Sequence, residues 1–579
     1  LNESGTSSSQ TPMARSHGEG IQAVVLADSF TNTFRPLTLD VPKVLLPVVN
    51  VPMIEYTLEW LASQDVDEIF VLCCAHAEMI ESYLKTTRWH NSTSPKIHVT
   101  RSDTCTSAGD ALREVYDRKI ITSDPFVLVS GDVISSMHLG PVIAAHKERR
   151  KTDKNCIMTM VFKPTSATHP TQQLHDDIVV TYDQDTLELV GYDNDPRPSA
   201  LFATLATNLL RNRAAAVMQR DLLDCNIDIC SPEVLMQFAD NYDYQNIRRD
   251  YVHNEVQSKE IGWKFSAFFT HEYAARIQDL RTYDSICKDI VQRWTYPIVP
   301  DSNFTGKTTF ALSRGSVYKE EGLQLAPTAL GNATLVGAGS VLGTDTWISR
   351  TTVGRGCRIG SRVVIEGSYV WDNVVIEDGV TIDRAIICTG VHIAANTHIP
   401  RGVVLSFNCA IGRGATLPPF ARYTTAKVAD DEFGQDDEEV AAEGAAAGGE
   451  ASDVEPSLGE GGRGRLWTAG EWELEGQEWY PGDDDEDMEA LTDRIHAISM
   501  GADELELLTR QRWAAWPSAE DEENLLDGDV AGEVVCATFE DTVREMVQTC
   551  IAKGATHDNI GECEDVLFLS FSLSLYDDL

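Results

Sequence analysis

The sequence predicts a multidomain protein in which an α/β domain is followed by a domain made only of β-strands. Short β-branched runs alternate with helical stretches between Ile21 and Val299, which is typical of a mostly parallel sheet. Apolar residues then recur every six positions from Leu335 to Leu417, a period that matches neither an amphipathic helix nor an alternating strand. With 579 residues, the chain is also too long for one ordinary core.

The α/β domain is expected to span residues 21–300, after a polar, Ser/Thr-rich stretch at 1–20 that we expect to be disordered. Its strands are predicted at 21–27, 68–73, 97–100, 126–129 and 156–162. Its helices are predicted at 53–62, 77–84 and 108–116. Strands joined by helices of this size indicate parallel pairing.

The six-residue repeat predicts a parallel β-helix over residues 320–422. In such a fold each hexapeptide forms one side of a triangular coil, and its apolar residue points into the stack. The series has two one-residue slips and comprises Leu335, Val341, Trp347, Val353, Ile359 and Ile365, then Val370, Ile376 and Ile382, then Ile387, Ile393, Ile399, Leu405, Ile411 and Leu417. At three positions per coil, these residues predict about five coils, with a local loop or bulge at each slip.

The charge of the chain is strongly negative and uneven. A net charge of −43 argues against a general affinity for nucleic acid or an anionic membrane surface. Residues 430–489 hold 22 acidic residues against Arg463 and Arg465, so nearly half of the imbalance lies there. This stretch belongs to an acidic, Ala/Gly-rich region at 426–532. We predict a disordered linker there, because it buries too little apolar surface to offset the entropy of ordering.

The cysteine pattern bears on the cellular compartment. The 13 cysteines are odd in number and scattered, without a CxxC pair, which suits a reducing cytosol. No apolar run reaches the roughly 18 residues of a membrane span, and residues 1–20 lack the pattern of a secretory signal. We therefore expect a cytosolic protein with no membrane partner and no direct nucleic-acid partner.

Residues 26–47, LADSFTNTFRPLTLDVPKVLLP, resemble the nucleotide-binding signature of the sugar-nucleotide pyrophosphorylases. In that family a glycine-rich loop and an arginine approach the nucleotide phosphates. The PLT and PK elements are present, including Lys43, but the phosphate loop is degenerate. Glycine or arginine of the family is replaced at Asp28, Ser29, Thr31 and Thr33. The resemblance therefore implies a nucleotidyltransferase fold that has lost its activity.

Other chemistries receive weaker support. Asp132, in the sequence VSGD, matches the first metal-binding aspartate of that family, but a lone aspartate after a strand is weak evidence for a metal. We expect no metal, no cofactor and no catalytic residue. An active sugar-nucleotide pyrophosphorylase is one alternative, and an intact glycine loop would be its mark. A hexapeptide acyltransferase is another, but His392 and His398 each precede an apolar core position and are expected to face outward.

An inactive pyrophosphorylase-like domain joined to a hexapeptide β-helix resembles the gamma and epsilon subunits of translation initiation factor two B, whose β-helix is left-handed. The sequences LLDCNIDICSP at 222–232 and FADNYDYQ at 238–245 resemble the epsilon branch closely. They include the position of an Asn-Phe pair that contacts the nucleotide domain of initiation factor two. Here the pair is Asn241 and Tyr242. The acidic linker also favours epsilon, where such a linker leads to a HEAT-type helical domain.

The resemblance implies guanine nucleotide exchange without covalent chemistry. GDP-bound initiation factor two would be the partner that is acted on, and the alpha, beta, gamma and delta subunits would complete the complex. Asn241 and Tyr242 would hold the GTPase, and the HEAT-type domain would distort its nucleotide site. Residues 538–579 fit about two helices, so we expect a truncated, incomplete HEAT-type domain there. A scaffold subunit without exchange activity is the alternative that this shortened end suggests.

Overall fold

The structure, a computed structural model, describes residues 20–27, 33–102, 105–165, 169, 171, 178–193, 216–257, 262–325, 329–426, 455–459 and 461–467. These residues form an α/β domain and a parallel β-helix. The predictions for residues 1–19, for most of the acidic linker and for 538–579 lie outside the described residues. Within this part of the chain, no helix is long and apolar enough to cross a membrane.

A seven-stranded sheet forms the centre of the α/β domain. Its strands are β1 (Ile21–Leu26), β2 (Val66–Cys73), β3 (Lys96–Arg101), β4 (Phe126–Ser130), β5 (Cys156–Pro164), β6 (Leu222–Cys230) and β7 (Lys264–Phe269). Their order in the sheet is β7-β5-β6-β4-β1-β2-β3. Only β6 runs antiparallel to its neighbours, β4 and β5, so the predicted, mostly parallel sheet is confirmed. The predicted strands and helices lie within two residues of their observed bounds.

Helices cover both faces of this sheet. They are α1 (Met53–Ser63), α2 (Ala77–Thr86), α3 (Ala108–Asp117), α4 (Leu139–Thr152), α5 (Pro232–Asp240), α6 (His253–Gln257) and α7 (Leu280–Val291). A π-helix spans Ile247–Val252, and 3-10 turns span Leu37–Leu39, Lys43–Leu45, Arg88–Asn91 and Pro300–Ser302. Smaller sheets pair Val179–Asp183 with Leu189–Asp193 and Ala216–Gln219, Val133–Ser135 with Ala274–Arg276, and Pro47–Val48 with Val51–Pro52.

Residues of β1 alternate between two apolar cores. Ala23 and Val25 pack with α1, α2, α4 and α7, whereas Val24 and Leu26 pack with α3, α5 and α6. Because side chains of a strand alternate between faces, the sheet separates the domain into these two layers. We call them the α1 face and the α3 face.

The β-helix consists of three sheets in which successive coils pair in parallel. The first contains Phe310–Ser313, Val317–Glu320, Leu335–Val336, Thr352–Val353, Tyr369–Val370, Ile386–Ile387, Val404–Leu405 and Arg422–Thr424. Phe310–Ser313 precedes the coils and runs antiparallel to Val317–Glu320. The second contains Gln324–Leu325, Val341–Leu342, Arg358–Ile359, Val375–Ile376, His392–Ile393 and Ala410–Ile411. The third contains Ala329–Leu330, Trp347–Ser349, Val364–Glu366, Thr381–Asp383 and His398–Ile399. The predicted parallel β-helix is thus confirmed, and a further coil precedes residue 335.

The first predicted coil is out of register by one residue. Val341 and Trp347, which the sequence pattern points inward, are 41% and 46% exposed. The buried residues of this coil are Val336, Leu342 and Ile348. Trp347 pairs with Val364 and Val364 with Thr381, a repeat of 17 residues rather than 18. One side of each such coil is therefore five residues long, and a slip follows Ile348 where the sequence pattern placed none.

The two domains share one apolar core. β-Helix residues on the outside of the first sheet pack against the α1 face, and they include Tyr318, Leu335, Tyr369, Trp371 and Val404. Hydrogen bonds also cross the junction. The Asn50 amide donates to the carbonyl oxygen of Val353 at 2.7 Å, and the Tyr369 hydroxyl donates to Asp284 Oδ1 at 2.8 Å. Leu335, predicted to point into the stack, therefore belongs to the junction.

Part of the predicted linker folds back onto the carboxy-terminal end of the β-helix. Arg465–Leu466 pairs antiparallel with Arg422–Thr424, and Leu458 is fully buried in the β-helix core. We call residues 455–459 and 461–467 the cap segment. For these residues the expectation of disorder is wrong, because burial of Leu458 and strand pairing offset the ordering entropy.

Candidate partner-binding site

The structure describes one position of the degenerate phosphate loop. The Thr33 hydroxyl donates to the carbonyl oxygen of Gln278 at 2.6 Å. Asp28, Ser29 and Thr31 lie outside the described residues. Thr33 thus joins the end of this loop to the segment that precedes α7, and its hydroxyl is committed to a structural contact.

Lys43 lies in a buried ion cluster with Asp132 and Arg276. Lys43 Nζ is 2.6 Å from Asp132 Oδ2, and Arg276 Nε donates to Asp132 Oδ1 at 2.8 Å. Burial opposes ionisation of Asp132, but the two cations outweigh it and hold the pKa of this carboxyl well below its usual range. Burial, partly offset by Asp132, lowers the pKa of Lys43.

This cluster bears on the metal site that the pyrophosphorylase resemblance raises. Both oxygens of Asp132 already face a cation supplied by the chain, and the side chain is 1% exposed. A divalent ion at this carboxylate would have to displace Arg276 or displace Lys43, whose buried charge would then lose its carboxylate partner. Among the described residues, no group of three or more His, Cys, Asp and Glu side chains is arranged to hold a metal. The arrangement therefore fits a structural ion cluster better than a catalytic one.

Asn241 and Tyr242 follow the carboxy-terminal end of α5. The Asn241 N–H donates to the carbonyl oxygen of Gln237 at 3.0 Å, and its side-chain Oδ1 accepts from the Asp243 N–H at 3.1 Å. Asn241 therefore ends the helix and shapes the turn. The Tyr242 ring, by contrast, is 73% exposed. A tyrosine that packed locally would be buried, so this side chain is available to a partner.

Arg113, on α3, holds the loop that carries this pair. Its Nε donates to the carbonyl oxygen of Phe238 at 2.8 Å. Its Nη2 donates to the carbonyl oxygens of Asn241 at 3.2 Å, of Tyr242 at 2.9 Å and of Tyr244 at 2.9 Å. We call residues 241–245 the clamped loop. The guanidinium also lies 5.0 Å from the centre of the Tyr242 ring, so one planar cation fixes both the backbone and the ring.

Further contacts fix the clamped loop from below. The Gly109 N–H donates to the carbonyl oxygen of Gln245 at 2.9 Å. A Cβ at Gly109 would lie only 1.9 Å from the Tyr244 carbonyl oxygen, so no larger residue fits here without a shift. The Tyr244 ring packs at 5.4 Å from that of Tyr251, and its hydroxyl donates to Glu255 Oε1 at 2.6 Å. The exposed Tyr242 thus stands on a rigid base.

The predicted site residues fall into two separate places. The Lys43–Asp132–Arg276 cluster adjoins Val44 on the α1 face, whereas the clamped loop follows α5 on the α3 face. His392 and His398 are exposed on the β-helix, as expected.

The clamp and the glycine below it were not found from the sequence. An arginine between Leu112 and Val115, on the apolar side of the amphipathic helix α3, was the available signal for Arg113. Gly109 could have been noticed in a similar way, because a glycine in the first turn of a helix often indicates that a neighbouring segment packs closely against it.

One protein-family model matches each of the two domains. Residues 22–169 match the nucleotidyl transferase family, and residues 314–417 match the EIF2B subunit epsilon LbH domain. The fold and these matches define a protein that joins a nucleotidyltransferase domain to an LbH β-helix. The resemblance to the epsilon subunit family of the initiation factor eIF2B is thereby confirmed, and similar curated proteins support it.

The chain is 46% identical over 319 residues to translation initiation factor eIF2B subunit epsilon of Dictyostelium discoideum, which covers 55% of this chain and 45% of that protein. It is 43% identical over 326 residues to the protein of the same name from Schizosaccharomyces pombe, which covers 56% and 48%. It is also 30% identical over 130 residues to a putative mannose-1-phosphate guanyltransferase of Sulfolobus acidocaldarius, covering 22% and 34%. The chain thus spans about half the length of the epsilon subunits that it matches.

Proposed function

We propose that this chain promotes GDP release from translation initiation factor two as the epsilon-type subunit of a cytosolic exchange factor. Asn241 and Tyr242 make the contact with the nucleotide-binding domain of that GTPase. The observation that carries the proposal is the 73% exposed Tyr242 ring on a loop whose backbone is fixed by Arg113. Rigid aromatic side chains of this kind are typical anchors of protein interfaces. The sequence similarity to epsilon subunits supports this choice of partner.

The mechanism requires differential binding rather than covalent chemistry. An exchange factor accelerates GDP release only when it binds the nucleotide-free GTPase more tightly than the GDP-bound form. The clamped loop supplies a preorganised contact, so little ordering entropy is lost when the GTPase docks. In this proposal the alpha, beta, gamma and delta subunits assemble with the chain.

The ion cluster of the α1 face favours this role over sugar-nucleotide transfer. Lys43 belongs to the PK element that the chain shares with the pyrophosphorylase family, whose signature binds the nucleotide phosphates. Here Lys43 is buried and ion-paired with Asp132. Arg276 occupies the second oxygen of the same carboxylate. A nucleotide and its metal would have to break these pairs, and removing one partner from a buried pair is costly.

Release of a fluorescent GDP from purified initiation factor two tests the proposal. The chain is added together with its four partner subunits, either unchanged, as Y242A or as Y296A. We expect Y242A to lower the exchange rate about ten-fold, the effect of losing an aromatic anchor at an interface. Tyr296 is the matched control because it is also exposed, at 66%, with an arginine near its ring. Equal rates for Y242A and the unchanged chain would refute the proposed contact.

A second outcome distinguishes the alternative role. Normal assembly with the partner subunits, but no acceleration of GDP release by the unchanged complex, would leave a scaffold subunit. Mass photometry of the assembled complex provides the assembly readout in the same experiment.

A further inference from the structure

Ser457 belongs to the part of the cap segment that docks on the β-helix. It lies in the 3-10 turn Pro456–Leu458, and its Oγ is 2.9 Å from the hydroxyl oxygen of Tyr423. Tyr423 belongs to the last strand of the β-helix and is itself fully buried. The next residue, Leu458, fills the end of the β-helix core, and its carbonyl oxygen accepts from the Gly412 N–H at 2.6 Å. The serine hydroxyl is therefore directly at the contact that docks the cap.

We propose that Ser457 is a phosphorylation site and that its phosphorylation releases the cap segment from the β-helix. Ser457 is half-buried, and its Oγ is at hydrogen-bond distance from the hydroxyl of the buried Tyr423. A phosphate on Oγ would add three oxygens at this contact, and we expect the turn to move to make room for them. Leu458 would have to move with it. Phosphorylation of Ser457 would thus displace Leu458, the buried residue of the docked turn.

Charge acts in the same direction. Burial raises the pKa of Tyr423, the hydrogen bond with Ser457 partly offsets this, and the nearby Glu455 carboxylate raises the pKa further. A phosphoserine adds about −1.5 to −2 charges at neutral pH, so it would be repelled by this carboxylate. A phosphate next to acidic groups disrupts by like-charge repulsion and by the cost of desolvation.

Two arginines of the cap segment act against this repulsion, because their positive charge attracts a phosphate. Arg463 is committed to the carbonyl oxygen of Asn408, to which its Nε donates at 2.9 Å. Arg465 has one buried side-chain nitrogen, Nη2, without a hydrogen-bond partner among the described residues. A phosphate that reached Arg465 would tighten the cap. The test below separates the two results.

The sequence around Ser457 suits an acidophilic serine kinase. Asp453 and Glu455 precede the serine, and Glu460 follows it at the third position. In the reaction, Ser457 Oγ attacks the γ-phosphorus of ATP, the new O–P bond forms as ADP leaves, and the hydroxyl proton passes to the base of the kinase. Apart from Leu458, the cap segment is held mainly by hydrogen bonds, which include the Arg463–Ala410 bridge and the pairing of Arg465–Leu466. Ser457 is already half-buried, and local opening of this edge would expose it further.

Release of the cap segment would lengthen the connection between the β-helix and the residues that follow Trp467. With the cap docked, the chain beyond Trp467 starts beside Arg422, whose carbonyl oxygen accepts from the Trp467 N–H at 2.7 Å. The Arg422 side chain also donates to the carbonyl oxygen of Arg35 in the α/β domain at 2.7 Å. With the cap released, the last anchored residues are those near 426, and residues 427–467 join the linker. A longer linker lowers the effective concentration of a tethered segment.

Hydrogen exchange measured by mass spectrometry on the full chain tests the effect. Phosphoserine is incorporated at position 457 during translation, and the unchanged chain and S457A serve as controls. We expect the backbone amides of Arg463, Ala410 and Gly412, which are hydrogen-bonded across the docked contact, to exchange at least ten-fold faster only in the phosphorylated protein. Unchanged or slower exchange would overturn the proposal, since it would mean that the phosphate is tolerated or is bound by Arg465.

Kinase treatment tests the modification itself. The chain is incubated with ATP and an acidophilic serine kinase, and the phosphorylated peptides are identified. Phosphate at Ser457 that is absent in S457A, accompanied by the same faster exchange, supports the proposal. Phosphate confined to other serines, such as Ser452, would refute Ser457 as the target. Neither readout uses nucleotide exchange, so failure here is distinct from failure of the proposed function.

Discussion

Replacing Arg113 by lysine tests whether the clamp presents Tyr242 to a partner. The arginine donates to four backbone carbonyl oxygens and also pairs with Asp110 at 2.6 Å. Lysine keeps the positive charge but has a single nitrogen, which cannot reach carbonyls on both sides of a planar fork. The R113K chain should therefore fold with a loosened loop, whereas R113A should leave all four carbonyls without this donor.

The magnitude follows from the number of bonds. Three N–H groups of Arg113 serve the four carbonyls and a fourth serves Asp110. At about 1 kcal/mol net for each N–H group, R113A loses about 4 kcal/mol of unfolding free energy and R113K about 2 kcal/mol. Urea unfolding of the chain measures both values. Arg118 provides the matched control, because it caps the carboxy-terminal end of the same helix with an exposed side chain paired to Glu114. We expect R118K to change the unfolding free energy by less than about 0.5 kcal/mol.

Exchange assays then link the clamp to Tyr242. If Arg113 acts by positioning Tyr242, the R113K substitution should slow GDP release in the unchanged background and have little further effect in Y242A. R118K should leave the rate unchanged in both backgrounds. Fully additive losses from R113K and Y242A, or a normal rate in R113K despite its lower stability, would refute the positioning role.

Three further predictions concern the fold. In G109A the new methyl group meets a backbone carbonyl of the clamped loop, so the unfolding free energy should fall by about 2 kcal/mol. In G140A, where a Cβ meets nothing within 4 Å, it should rise slightly, by up to about 0.5 kcal/mol, and equal effects would contradict the packing argument. In the β-helix, I348A should cost about 3 kcal/mol and W347A less than about 1 kcal/mol, and the reverse order in thermal unfolding would restore the register read from the sequence. Burial and two nearby arginines lower the pKa of His146 to about 4, below the ordinary value of about 6.5. Stability should thus fall by about 3 kcal/mol between pH 6.5 and 4, as the unfolded chain takes up a proton that the folded chain does not. H146Q should flatten that dependence, and parallel pH profiles of the two chains would count against it.

The sequence predicts the fold well where its signal is periodic. Strands and helices of the α/β domain appear at their predicted positions because each apolar run has one dominant partner layer. The β-helix was also predicted, including two slips, but not the further slip after Ile348 that shortens its first predicted coil to 17 residues. Val341 and Leu342 are both apolar, as are Trp347 and Ile348, so the local pattern allows either register. Only pairing with the next coil decides which one is buried.

The candidate site was predicted only in part. Asn241 and Tyr242 were found through resemblance, and Lys43 through the pyrophosphorylase motif. Arg113 was missed because its partners are backbone carbonyls more than 120 positions away, and a carbonyl has no sequence signature. The cap segment was missed because acidic composition outweighed one short apolar stretch, whereas burial of Leu458 and backbone pairing with the β-helix dock it.

The sequence pattern changes near residue 300, but we do not expect the two domains to be independently stable, because they share one apolar core. Side chains from the β-helix, such as Tyr369 and Trp371, complete the packing of the α1 face, and Asn50 reaches back to a β-helix carbonyl. Cutting the chain between the domains would expose apolar surface on both fragments. We therefore expect a single melting transition for the pair. We also expect the α/β domain and the β-helix to move together when a partner binds the clamped loop, because shared packing and hydrogen bonds join them.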